Sequence, residues 1–156
     1  MRKIKLYGEP VKDSWLLLHE VSGSLERCEE EIFKQIGMMV QEYQVLKSIK
    51  YYKTNVTPTK INRILNLDPN YLSYLLKRME KQGLIKRTKD MADHRSIRLE
   101  ITSNGNGIYN KAKKSAEKLP KALISVLTTD ELSVFVDILQ KLRIKINEYR
   151  NVEEIT

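Results

Sequence analysis

Apolar positions recur at helical spacing over residues 11–36, where Trp15, Leu18, Leu25, Ile32 and Ile36 fall in step with Val21 and Cys28 beside them. Gly37 offers the left-handed residue that closes many helices. A second helix is expected over 40–53, because Val40, Tyr43, Leu46 and Ile49 or Lys50 keep the same period. Two shorter helices follow, each with a start signal. Thr57 before Pro58 pairs a capping oxygen with a residue whose missing N–H has no helical partner to lose. Ile61, Ile64 and Leu65 form the expected buried side of that helix. Asp68 before Pro69 repeats the signal. The helix 69–82 then carries Leu72, Leu75, Leu76 and Met79 at i, i+3, i+4 and i+7, until Gly83 stops it.

After Gly83 the period changes from 3.6 to 2. Ile97, Leu99 and Ile101 alternate with Ser96, Arg98 and Glu100, the pattern of a half-buried strand. "LIKRTK" at 84–89 is its expected partner and "DMADH" the connecting loop. Thr102, Ser103 and Asn104 offer caps for a helix reaching about residue 119; "NGNG" near its start is a weak helix former, which leaves a later start open. Pro120 is expected to break or kink it. Thr128 and Glu131 have the spacing of a capping box and open a last helix to about residue 150. Its stripe is Leu132, Phe135, Val136, Leu139, Leu142 and Ile146. The fold class is therefore mainly α with a small β-hairpin. Two short, tightly joined helices followed by a hairpin are the order of a winged helix-turn-helix. Neither an internal repeat nor a dividing linker is visible.

Composition adds the partner. Lys and Arg number 28 against 20 Asp and Glu, a formal net charge of +8, which favours polyanions such as nucleic acid or an anionic membrane surface. No apolar run approaches the roughly 18–20 residues that span a bilayer. "MRKIKLYGEP" lacks the apolar core of a secretory signal. The single cysteine, Cys28, cannot form an internal disulfide, so a cytoplasmic setting without a membrane is expected.

Distribution gives the charge an address. Opposite the apolar stripe of helix 69–82 stand Asn70, Tyr71, Ser73, Tyr74 and Lys77, with no carboxylate until Glu80. A helix fits the major groove, where short polar side chains near its N-terminus reach base edges. Its N-terminal N–H groups also suit phosphate. The hairpin adds Arg87, Lys89, Arg95 and Arg98, and a thin cationic loop suits the negative potential of a minor groove. These residues could otherwise form a solvated face, and Lys60 and Arg63 on the preceding helix either touch phosphate or are solvated.

The run "TPTKINRILNLDPNYLSYLLKRMEKQGLIKRTKDMADHRSIRLEITSNG" resembles the MarR family of winged-helix transcription regulators. The matching pieces are "LLKRMEKQGLIKR", the wing Asp93-His94-Arg95, and "LEITSNG" after it. The likeness covers about residues 40–115, and the flanking helices match in layout. The resemblance implies a single MarR-like domain over 1–156. Within it, 40–102 is the DNA-binding lobe, and helices 11–36 and 103–150 interleave in a homodimer. It also implies double-stranded, palindromic promoter DNA as partner. The regulator is expected to be a repressor, released by a small, often aromatic, effector bound between dimer region and lobe. Ser73 and Tyr74 stand where the family often has Thr and Arg. Tyr74 departs, since it cannot make the bidentate guanine contact of an arginine. Arg95 matches the minor-groove arginine, while Asp93 is expected to fix the wing and Arg87 to hold the hairpin through a carboxylate.

Other features carry less. Cys28 is followed by "EEE" and has no cationic group beside it except Arg27, so a buried or inert role is expected. His19 and His94 are too isolated to form a zinc site, so neither metal nor cofactor is expected. Tyr51 and Tyr52 could stack on an aromatic ligand; core or dimer contacts are favoured. No nucleophile-base pair or glycine-rich phosphate loop points to an enzyme. The alternatives are an architectural DNA-binding protein without a specific operator, and a winged-helix module whose basic wing meets an acidic protein.

Overall fold

Helix α1 (Pro10–Lys34) opens on a proline and closes at Gly37, whose φ of 73° lets Met38 N–H reach the Phe33 carbonyl at 3.0 Å. The computed structural model describes residues 6–89 and 97–153, with side chains through Tyr149. Two compact units result, 1–116 and 117–156.

In the first unit, α1 is followed by α2 (Val40–Tyr52), α3 (Pro58–Leu65), α4 (Pro69–Lys81), strands β1 (Ile85–Lys89) and β2 (Ile97–Ile101), and α5 (Ser103–Ala116). The strands pair antiparallel, from Ile85 opposite Ile101 to Lys89 opposite Ile97. Leu99 N–H also reaches the Val56 carbonyl at 2.8 Å, which ties the hairpin to the segment before α3. The core gathers Val45, Leu46 and Ile49 of α2, Ile61 of α3, Leu72, Leu75, Leu76 and Met79 of α4, and Leu84, Ile85 and Leu99 of the hairpin. Phe33, Tyr43 and Tyr109 form an aromatic ladder across α1, α2 and α5, with centroids 4.9 and 5.5 Å apart. Lys50 stands over the Tyr109 ring at 4.7 Å and donates to Asn106 Oδ1.

Gly105 decides how α5 starts. A Cβ there would lie 1.9 Å from the Leu84 carbonyl oxygen, so only glycine lets the helix backbone sit against the start of the hairpin. Thr102 completes the joint: its hydroxyl lies 2.6 Å from the Gly83 carbonyl and accepts from Gly105 N–H at 2.9 Å. The helix therefore begins at Ser103 despite the glycines, and the later start left open by "NGNG" does not occur.

In the second unit, α6 (Lys118–Ile124) contains Pro120 in its first turn, where the missing N–H is one of the unpaired donors anyway. The expected break falls before the proline, not at it. Helix α7 (Thr129–Glu153) has the expected capping box. The Glu131 carboxylate accepts from Thr128 N–H at 2.8 Å and from the Thr128 hydroxyl at 2.9 Å, and these bonds hold its pKa below the ordinary value.

Several expected burials differ. Trp15, Leu18, Val21 and Leu25 are exposed on α1, whose sealed residue is Phe33. On α1 the residue that reaches the core of the unit is Phe33, near its C-terminal end. Phe135, Val136, Leu139, Leu142 and Ile146 are likewise exposed on α7. Ile64 is 38% exposed, because α3 is short and turns only Ile61 fully inward. Cys28 is exposed rather than buried. Tyr51 and Tyr52 are not core residues; they form an edge-to-face pair at the exposed end of α2. Among the described residues, no helix is long and apolar enough to cross a membrane, and no group of three His, Cys, Asp or Glu could hold a metal.

Candidate nucleic-acid interface

The joint between α3 and α4 is built from local chemistry. The Thr57 hydroxyl accepts from Lys60 N–H at 3.2 Å and starts α3. Asn66 takes a left-handed conformation, φ 49°, and ends it. The Asn62 side-chain amide then donates to the Leu67 carbonyl at 2.9 Å, which holds the turn. Asp68 Oδ1 accepts from both Asn70 and Tyr71 N–H at 2.9 Å and starts α4. This corrects one expectation: those two N–H groups are satisfied by the helix's own cap and are not free for a phosphate.

Helix α4 turns Leu72, Leu75, Leu76 and Met79 into the core. Asn70, Ser73, Tyr74 and Lys77 are exposed, as the alternation of its faces requires. Tyr71 is different: it is half-buried and packs against the core. From behind, Arg78 Nε lies 3.1 Å from Glu42 Oε1 on α2. Glu42 is fully buried, and its other oxygen accepts from Met39 N–H at 2.9 Å. This pair fixes α4 against α2, and sequence reasoning missed it. The available signal was a carboxylate at position 42, three, four and seven residues before Val45, Leu46 and Ile49 and so on the same helical face.

Gly83, φ 67°, ends α4 and lets Leu84 N–H reach the Met79 carbonyl at 2.9 Å, so the hairpin leaves at a fixed angle. Arg87 lies opposite Leu99, on the hairpin face that meets the core, and its guanidinium is 3.9 Å from Glu80 on α4. That is the carboxylate contact expected of a residue that holds the hairpin. Lys89 is exposed at the outer end of β1; Arg98 is half-buried on β2, across from Thr88. Asp93, His94 and Arg95 lie outside the described residues. On α3, Arg63 is exposed, while Lys60 is half-buried with its ammonium 4.1 Å from the centroid of the Tyr52 ring.

Two grooves border α4. One of about 570 Å³ is lined by Pro58, Asn62 and Arg63 of α3, Ser73 and Leu76 of α4, and Arg87. The other, about 440 Å³, lies where α1 meets α2 and is lined by Glu30, Lys34, Met38, Met39 and Arg78.

Residues 40–97 match the model of the MarR family. The HTH-type transcriptional regulator MgrA of Staphylococcus aureus is 30% identical over 102 residues, covering 65% of this chain and 67% of MgrA. Curated relatives are spanned over 62% to 88% of their length. A mutant of MarR from E. coli complexed with operator DNA superposes with a TM-score of 0.75 at 24% identity, covering 89% of this chain and 99% of that one. The organohalide-sensing RdhR-CbdbA1625 transcriptional regulator, in its 2,4-dichlorophenol-bound form, superposes with a TM-score of 0.76 at 22% identity, over 92% and 89%. The matched residues run from the start of α2 to the start of β2, the segment that holds α4 and the hairpin as one unit, and this chain belongs to the MarR family.

Proposed function

We propose that this protein is a sequence-specific DNA-binding transcription regulator. It acts as a homodimer on a palindromic promoter site, as a repressor released by a small ligand. The observation that carries the reading is α4 itself. Its apolar side is sealed, its outward side presents Asn70, Ser73, Tyr74 and Lys77, and the hairpin stands beside it. Each subunit places α4 in a major groove and the hairpin at the adjacent minor groove, with half-sites roughly 10 bp apart. Asn70, Ser73 and Tyr74 set base preference. Tyr71, anchored in the core, contributes at most its ring edge. Lys77 and Lys89 neutralise phosphate, joined by Lys60, Arg98 and the wing's Arg95, with Asp93 and Arg87 shaping the wing.

The apolar residues left exposed on α1 and α7 support the dimer. Trp15, Val21, Phe135 and Leu142 are too many and too large for a solvated surface, and a second copy would cover them. RdhR-CbdbA1625 is described with 2,4-dichlorophenol, and an aromatic effector of that kind suits the groove at the α1–α2 junction, where methionines meet Lys34 and Arg78. The setting is cytoplasmic and the protein is not an enzyme; relatives such as the organic hydroperoxide resistance regulator of Bacillus subtilis and MgrA are named as transcriptional regulators.

Fluorescence anisotropy tests this directly. A labelled duplex from immediately upstream of its own gene is titrated at about 150 mM salt against scrambled competitor. Binding that survives competitor by thousands-fold supports a regulator. Equal erasure by the scrambled duplex, here and on a random-sequence pool, rejects it for an architectural protein.

A further inference from the structure

The outward face of α4 is short of the side chain that reads guanine. Arginine or lysine on guanine O6 and N7 is the commonest specific major-groove contact, arginine with a rigid fork and lysine as a point charge, whereas asparagine makes the matching pair with adenine N6 and N7 and apolar carbon rests on the thymine methyl. Helix α4 contains one arginine, Arg78, and it is committed to the buried carboxylate of Glu42 at 3.1 Å. Arg87 is held by Glu80 at 3.9 Å with its side chain 22% exposed. Arg63 sits on α3, the helix that crosses the backbone in this docking geometry. Lys77 lies seven residues beyond Asn70, roughly 10 Å further along the axis, and an ammonium is a point charge without a fork. What remains at the N-terminal end, where bases are read, is Asn70, Ser73 and Tyr74, the last 57% exposed.

We propose that the half-site read by α4 is built from A·T pairs, with Asn70 pairing one adenine and the Tyr74 ring lying against a thymine methyl. The inference rests on α4 being the recognition helix. Ser73 accepts either base type and adds no guanine requirement.

The test is selection of bound duplexes from a random-sequence pool, using the full chain as wild type, Asn70→Ala, Tyr74→Arg and Lys77→Ala. Both reading residues are exposed, so their variants should fold. Wild type should enrich a two-fold symmetric site whose α4-contacted positions are A·T. Asn70→Ala should relax one adenine by roughly 5- to 150-fold, the range for one bidentate contact. Tyr74→Arg should move one position from T to G. An invariant G·C pair inside the half-site, especially one lost in Lys77→Ala, overturns the proposal while leaving a specific regulator intact. Enrichment of no site at all overturns the regulator reading and this inference with it. Replacing the thymines by uracil in the enriched site separates the methyl contact from groove shape: unchanged affinity removes Tyr74's assigned role.

Discussion

Gly105→Ala adds one methyl group where α5 meets the hairpin. The new carbon would lie 1.9 Å from the Leu84 carbonyl oxygen, 2.8 Å from the Leu84 carbonyl carbon and 3.1 Å from Ile101 Cγ1. Two of the three atoms are backbone, so no rotamer change relieves the contact. The helix must move away by more than about 1 Å, given normal carbon–oxygen contact near 3.5 Å. That movement stretches the Thr102 N–H to Leu84 carbonyl bond of 3.1 Å and the hydroxyl bonds of Thr102 to Gly83 and Gly105. It also loosens Tyr109 and Ala112 from the core. Overpacking costs about 1–3 kcal/mol, and one or two weakened hydrogen bonds cost about 1 kcal/mol each. Alanine returns up to about 1 kcal/mol of helix propensity. The net loss is roughly 1–4 kcal/mol, or a fall in Tm of about 2–16 °C for a chain of this size. Urea unfolding followed by far-UV circular dichroism, at one fixed protein concentration, measures it. Gly107→Ala is the control: nothing lies within 4 Å of a Cβ there, so the same change should stabilise by about 0.5–1 kcal/mol. A Gly105→Ala protein within about 0.5 kcal/mol of wild type would refute the close approach of α5 to Leu84.

Arg78→Met strands the buried Glu42 carboxylate; because the Arg78 side chain is 36% exposed, the loss should sit below the 3–5 kcal/mol of a fully buried pair, at about 2 kcal/mol, and Glu42→Gln added to it should recover part of that in the same urea assay. Lys77→Ala and Lys89→Ala should each weaken duplex binding almost uniformly across sequences and lower the salt slope by about 0.9, read by anisotropy at several salt concentrations. Arg95→Ala should cost about 1–3 kcal/mol of binding, and operator affinity equal to wild type would remove the wing from the mechanism. The Glu131 carboxyl has its pKa lowered, first by Thr128 N–H and then by the Thr128 hydroxyl. A depressed carboxyl contributes stability above its unfolded pKa, about 4.3, and loses it as pH falls through the lower folded value. Acid unfolding of Glu131→Gln should therefore depend less on pH between about 5 and 3 than that of wild type.

The elements were largely legible along the chain because their signals are local. Thr57-Pro58, Asp68-Pro69, Thr128-x-x-Glu131 and the switch of period after Gly83 each satisfy backbone groups within a few residues, and the helices and strands start and stop there. Helix α4's two faces follow from the same 3.6-residue period. Pro120 was misread because proline's effect depends on its place in a turn: in the first turn of α6 it removes a donor with no partner. The buried stripe expected on α1 was misread for a different reason. Periodicity identifies an apolar face but not what covers it, and in one chain Trp15 and Val21 stay largely exposed.

By itself, then, the order of residues determined the helix-turn-helix and hairpin, the polar outward face of α4, and the excess of cations that points to DNA. Tertiary structure alone decided which of those groups are free to act. Arg78 looks like a surface cation in the sequence but is bound to Glu42, which precedes it by 36 positions, and Tyr71 is drawn into the core. Gly105, which reads as a weak helix former, is required because α5 presses on a carbonyl 21 residues earlier. Contacts at such separation leave no periodic trace, since they depend on how already formed elements pack, and packing is a property of three-dimensional distance rather than of sequence spacing.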